Sequence, residues 1–273
     1  MMILNEHKAD CEKKYCLITG AGNGLGFELA KICIAKGYSL VVIDKDEVAL
    51  DKGVNSLSVT HGSEIVKILM DLSTPDCSTV IFTMLKEKKI APQILINNAG
   101  FGYFGFFAEN NWEKQEMLIR LSVLTTTHLT KLLLPEMISG HYGRILNVAS
   151  LAAFQPGPLM SVYHASKAFI LSFSQALSNE LKGSGVTVTV LCPGMMATGF
   201  QKANNNENPR LKWTVGSAEK VAKIGFKSMM KGKVVVVPGI LNKFAATIPR
   251  FLPGKITTSL IRKIQEKNKT DFK

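Results

Sequence analysis

The 273-residue chain predicts an α/β fold: a doubly wound parallel sheet of seven strands with helices on both faces, built as one domain. Three observations lead there. Seven short runs rich in Val, Ile and Leu recur along the chain, and the runs are nearly unbroken in their apolar character. Strands read that way when both faces are covered. Longer segments with apolar residues every three to four positions separate the runs, and strand, helix, strand repeated in order builds a parallel sheet.

The elements follow in order. Residues 15–19 (YCLIT) form the first strand, and a glycine-rich turn leads from it into a helix over 25–36. The second strand spans 38–43 (YSLVVI) and the third 65–70 (IVKILM), followed by a helix over 74–88. The fourth strand, 93–97 (QILIN), precedes a long helix over 112–139. The fifth, 143–149 (GRILNVA), precedes a helix over 161–182, and the sixth is 186–191 (VTVTVL). Residues 198–217, with Asn204-Asn205-Asn206 and Pro209, read as an extended polar loop before the seventh strand at 233–237 (KVVVV). The expected division is a domain over 1–239 and a basic amphipathic extension over 240–273, packed on it or on a partner.

Composition narrows the class. Hydrophobic residues make up 46% and charged residues 20%, which excludes disorder and collagen-like repeats. Cys11, Cys16, Cys33, Cys77 and Cys192 are scattered and odd in number, so reduced thiols in a cytoplasmic setting are expected. Neither they nor the histidines show metal-ligand spacing, so no metal site is expected. The charged N-terminus does not read as a signal peptide, and no membrane-spanning helix is expected. The net charge of +12 is unevenly placed: residues 1–201 carry 17 Lys/Arg and 17 Asp/Glu, whereas 202–273 carry 16 Lys/Arg against four acids. A solvated surface that keeps the chain soluble and a contact with an anionic partner both fit that excess.

After the first strand comes Thr19-Gly20-Ala21-Gly22-Asn23-Gly24-Leu25-Gly26. Glycines there allow a tight turn and close backbone approach to a pyrophosphate at the helix N-terminus. Asp44 ends the second strand, where a carboxylate takes the hydroxyls of an adenosine ribose and repels a 2′-phosphate. That favours NAD(H), while the adjacent Lys45 leaves NADP(H) open. An ordinary helix-capping Asp is the alternative reading.

Tyr163 and Lys167 lie at i, i+4 on one helix face, and an ammonium beside a phenol is expected to lower the phenol pKa. Such a pair suits a general acid/base facing an alcohol or carbonyl. Ser150, 13 residues upstream at a strand end, has a hydroxyl placed to hold the substrate oxygen. Each residue alone has a structural reading.

Together these residues resemble the short-chain dehydrogenase/reductase family. The likeness runs from about 14 to 200 and includes Thr19-Gly20-x-x-x-Gly24-x-Gly26, Asp71-Leu72, Asn97-Asn98-Ala99-Gly100, Ser150, Tyr163-x-x-x-Lys167, Pro193-Gly194 and Thr198. It implies a Rossmann-like fold and a nicotinamide-dependent carbonyl reductase or alcohol dehydrogenase. Tyr163 would pass the proton, Ser150 would position the oxygen, and Lys167 would bind the nicotinamide ribose. Asp71 and Leu72 would flank adenine, Asn98, Ala99 and Gly100 would line the cofactor, and Thr198 would meet the carboxamide. Ser122 stands where the family usually has an asparagine that holds a relay water. A homodimer or homotetramer is also implied.

Phe101, Tyr103, Phe104, Phe106 and Phe107 crowd seven residues after the fourth strand. They read either as an apolar substrate wall or as a buried or intersubunit patch. With Phe154, Leu159 and Met160 between Ser150 and Tyr163, they suggest a bulky apolar ketone or alcohol of lipid, acyl or steroid-like type. Residues 240–266 mix Leu, Ile and Phe with Lys and Arg, as peripheral membrane helices and docked helices both do. The rival function is a cofactor-binding sensor or scaffold of the same fold with little turnover. No nucleic-acid recognition motif accompanies the basic tail, so nucleic acid is not an expected partner.

Overall fold

The computed structural model describes residues 13–57, 59, 62–196 and 216–269. All seven expected strands form: β1 (Tyr15–Thr19), β2 (Ser39–Asp44), β3 (Ile65–Leu69), β4 (Pro92–Asn97), β5 (Gly143–Val148), β6 (Val186–Leu191) and β7 (Val235–Val236). They pair in parallel in the order β3-β2-β1-β4-β5-β6-β7. The helices are α1 (Gly24–Ala35), α2 (Glu47–Ser56), α3 (Cys77–Glu87), α4 (Trp112–Ile119), α5 (Thr126–Ser139), α6 (Ser161–Glu180), α7 (Ala218–Met230), α8 (Ile240–Thr247) and α9 (Gly254–Lys269). The winding direction reverses between β1 and β4, and that reversal opens a crevice at the carboxyl ends of the strands.

The pleat explains the unbroken apolar runs. Cys16, Ile18, Leu40, Val42, Ile94 and Ile96 point to one side and pack with Leu25, Leu29, Val221 and Met229. Tyr15, Leu17, Val41, Ile43 and Leu95 point to the other and pack with Ile81, Leu85, Leu129 and Leu133. Each Leu or Ile so buried contributes roughly 1.5–3 kcal/mol, so the central strands hold the crevice rigid.

The segment 112–139 departs from one regular helix. α4 passes into a π-helical turn, Arg120–Thr125, before α5 resumes. The threonines supply a cause: Thr125 donates its hydroxyl to the Leu72 carbonyl and Thr127 to the Val123 carbonyl, both at 2.7 Å. Side-chain bonds of this kind compete with the regular ladder. Contrary to expectation, Trp112–Ser139 is long and apolar enough to cross a membrane by length and composition. Leu118, Leu129, Leu133 and Met137 on this run are nevertheless buried in the fold.

β7 is shorter than expected, although the Val234 carbonyl still accepts the Val190 amide at 2.7 Å. Most of the polar loop expected over 198–217 lies outside the described residues, as does Thr198.

Candidate active site

The turn between β1 and α1 is fixed from three directions. Gly20 adopts φ +66, and a Cβ on Gly26 would lie 2.0 Å from the Gly20 carbonyl oxygen. Only glycine permits that approach. Asn98 donates its side-chain amide to the carbonyls of Thr19 (3.0 Å) and Gly20 (2.9 Å). In return, Thr19 Oγ1 accepts the backbone N–H groups of Asn98 and Ala99, each at 3.0 Å. Asn23 caps α1 without a side-chain hydrogen bond, and Leu25 is buried behind the turn. First-turn amides of such a helix suit an anion.

Asp44 is not the cap of α2; Asp46 is, accepting the Ala49 amide at 3.0 Å. The Asp44 carboxylate takes the amides of Gly22 (2.9 Å), Lys45 (2.8 Å) and Asp46 (3.1 Å). The Lys45 ammonium lies 3.5 Å from Asp71. Burial alone would raise the Asp71 carboxyl, but the Ser73 hydroxyl and amide together with Lys45 hold it below the usual carboxylate range. The Leu72 side chain is buried in the core, while its carbonyl receives Thr125.

At the other end of the crevice, Ser150 follows β5 and its Oγ accepts the Ala152 amide at 3.1 Å. The same hydroxyl is hydrogen-bonded to the phenol of Tyr163. One turn further along α6, Lys167 donates to the Val148 carbonyl at 3.0 Å, with Nζ 5.8 Å from the Tyr163 ring centroid. Tyr163 is 8% exposed and Lys167 is 5% exposed. Burial raises the phenol pKa and the Ser150 bond only partly offsets it. In the free protein desolvation outweighs the expected lowering of the phenol by Lys167, whose ammonium is turned to the Val148 carbonyl. Burial also brings Lys167 down from 10.5 to about 8. His164, between them, is locked by a 2.9 Å contact from Nδ1 to the Gln155 carbonyl.

A nicotinamide dinucleotide fits the donors present. Of the three donors on Lys167, one is used among the described residues, and a Cβ on Gly100 would reach within 3.4 Å of its Nζ. Pro193 accepts the Leu151 amide at 2.9 Å, and Gly194 lies against Asn242 of α8. Ser122, in the π-helical turn, is 2% exposed, and its hydroxyl has no hydrogen-bond partner among the described residues.

The aromatic run joins this site. Phe101, Tyr103 and Phe104 pack with Leu118, Ala152, Met160 and Tyr163. The Gly105 amide donates to the Leu159 carbonyl at 2.9 Å, which ties this loop to the segment before α6. Sequence reasoning missed two further neighbours. Arg262 of α9 lies 5.9 Å from the Phe106 ring centroid, and Gln265 contacts Met160 Sδ at 3.7 Å. These partners lie more than a hundred residues apart in the chain, so no local signal marked them. The arrangement places a phenol and a hydroxyl in hydrogen-bond contact beside an aromatic cluster, in the same crevice as the glycine-rich turn.

Comparison with known proteins agrees. The family model for short chain dehydrogenases matches residues 14–209. The chain is 32% identical over 268 residues to 17-beta-hydroxysteroid dehydrogenase type 3 of Mus musculus, covering 93% of this chain and 86% of that protein. It is 28% identical over 262 residues to the very-long-chain 3-oxoacyl-CoA reductase of the same organism, covering 93% and 81%. A short-chain dehydrogenase from Sphingobium yanoikuyae in complex with NADPH superposes with a TM-score of 0.77 at 26% identity, covering 95% of this chain and 96% of that one. The chain belongs to the short-chain dehydrogenase/reductase family and is an NAD(P)-dependent oxidoreductase acting on CH–OH groups.

Proposed function

We propose that the protein interconverts a bulky apolar ketone, of lipid, acyl or steroid-like type, and its secondary alcohol. The observation that carries this is the Ser150–Tyr163–Lys167 constellation opening against Phe101, Tyr103, Phe104 and Met160. A nicotinamide held there would supply or take up the hydride at the carbonyl carbon. Ser150 holds the substrate oxygen by a hydrogen bond. Tyr163 donates the proton to that oxygen in reduction and removes it in oxidation. Burial raises the phenol pKa and so favours its protonated form. Lys167 binds the nicotinamide ribose and carries positive charge beside the phenol below about pH 8. Ser122 holds a water that continues the proton path, consistent with its buried, unpartnered hydroxyl.

Thr19, the glycines from Gly20 to Gly26, Asn98, Ala99 and Gly100 form the cofactor cradle. Asp71 and Leu72 flank the adenine, with Leu72 acting through its backbone. Asp44 favours NAD(H), and the salt bridge of Lys45 to Asp71 leaves that carboxylate uncompensated by Lys45. The named relatives that act on a steroid and on an acyl chain support the bulky apolar class.

The test is Tyr163→Phe. Turnover of a panel of apolar ketones should fall by more than about 10³-fold, while NADH or NADPH binding, followed by fluorescence, stays within about twofold. Retained turnover would remove the phenol from the reaction.

A further inference from the structure

We propose that α8, α9 and the turn joining them form a docking surface for an anionic lipid bilayer, beside the mouth of the active site. Ile240, Leu241 and Phe244 stand within about 100° of one another around α8, and Ile248 and Phe251 follow in the 3-10 turn that leaves it. All five are exposed, Phe251 by 82% and Ile240 by 73%. Ala246 and Asn242, on the opposite side of α8, face the protein: Ala246 is buried, and Asn242 donates to the Pro238 carbonyl at 2.6 Å. The helix is therefore anchored by one face and presents the other bare. Ile256 and Leu260 extend the exposed series on α9, where Lys255 and Lys263 border them.

Charge selects the occupant. Lys243, Lys255 and Lys263 form no ion pair among the described residues, and the one acid on α9 with described contacts, Glu266, is occupied by Arg262 at 2.7 Å. Lysines flanking an apolar stripe bury their stems and keep their ammonium groups at headgroup level. A second copy docking through this face by a twofold axis would bring like charges towards one another. An anionic bilayer satisfies both the apolar side chains and the lysines.

The surface adjoins the substrate loops. Arg262 touches Phe106 and Gln265 touches Met160, so one side of α9 borders the aromatic wall and the other carries the apolar pair. A membrane-dissolved ketone thus enters without crossing bulk water. That consequence rests on the proposed substrate class, whereas the docking itself does not.

The experiment is cosedimentation of the full chain with phosphatidylcholine vesicles, with and without about 30% phosphatidylserine. The wild type should bind the anionic vesicles at least about tenfold more tightly than the neutral ones, and raising the salt should weaken binding. Phe244→Ser/Phe251→Ser and, separately, Lys255→Glu/Lys263→Glu should each reduce binding at least about tenfold. Turnover of a water-soluble ketone and the melting temperature should not change in either variant. Absent vesicle binding, or binding that neither variant weakens, overturns the proposal. So does a dimer, seen by light scattering, that Phe244→Ser/Phe251→Ser dissociates, because the face then belongs to a second copy. Soluble-ketone turnover is read separately, so failure of docking and failure of the oxidoreductase reading are distinguishable.

Discussion

Replacing Lys167 with methionine should stabilise the free protein at neutral pH while abolishing turnover. Burial lowers the folded-state pKa of Lys167 from 10.5 to about 8. The folded value lies below the unfolded one, so between them the unfolded chain binds the extra proton, and wild-type stability rises with pH from about 8 towards 10.5. Below about 8 the full penalty for burying the charge is present. A shift of that size corresponds to about 3 kcal/mol at pH 7. Methionine has a similar length and no charge, so it removes that penalty. The lost bond to the Val148 carbonyl at 3.0 Å returns about 1 kcal/mol. The net gain at pH 7 is about 2 kcal/mol, or roughly 4–8 °C in melting temperature. At pH 9 the native amine is largely neutral, and the gain shrinks by about 1 kcal/mol. Urea denaturation of both proteins at pH 7 and pH 9 measures the difference. A variant less stable than wild type at pH 7, or a gap that does not change with pH, would refute the desolvation argument.

Three other perturbations bear on the same crevice. Gly26→Ala forces α1 away from the Gly20 carbonyl, so denaturant titration should show a loss of about 2 kcal/mol and fluorescence a NAD(P)H affinity at least about tenfold lower. Asp44→Asn removes a charge beside the adenosine ribose site, and the ratio of NADPH to NADH affinity should rise by about tenfold in fluorescence titrations. Ser122→Ala deletes a buried hydroxyl that has no partner among the described residues, so stability should stay within about 1 kcal/mol while steady-state kcat falls severalfold.

The central sheet was legible because its signal is local. Tyr15–Thr19 and Pro92–Asn97 are apolar on both faces, and the turns after them carry glycine and asparagine where the backbone needs them. The shared helix face of Tyr163 and Lys167 followed from their i, i+4 spacing, and the place of Ser150 from the end of the fifth strand. Their electrostatics did not. Whether an ammonium lowers a neighbouring phenol depends on burial and on where Lys167 points, and the Val148 carbonyl that holds it lies 19 residues away. The choice between Asp44 and Asp46 as helix cap was likewise hidden, because both precede α2 and only the turn at Gly22 separates their roles. The π-helical turn had no periodic signature, as it depends on Thr125 meeting a carbonyl 53 residues away.

That extra residue in the helix acts as a rotational gear. Each residue of an α-helix advances the side chains by about 100°, so one added within Arg120–Thr125 turns everything before it by about that angle relative to everything after it. Leu129 and Leu133 can then sit in the core beneath the sheet, while Leu118, on the same rod, packs beside Tyr163 in the aromatic cluster. Winding these residues as a regular α-helix at the same chain length would put the two helices out of phase, with Leu118 swung away from the phenol. The protein would keep its sheet and its glycine-rich turn, and the aromatic cluster around Tyr163 would lose the packing of Leu118, so the π turn couples the helix phase to the shape of that cluster.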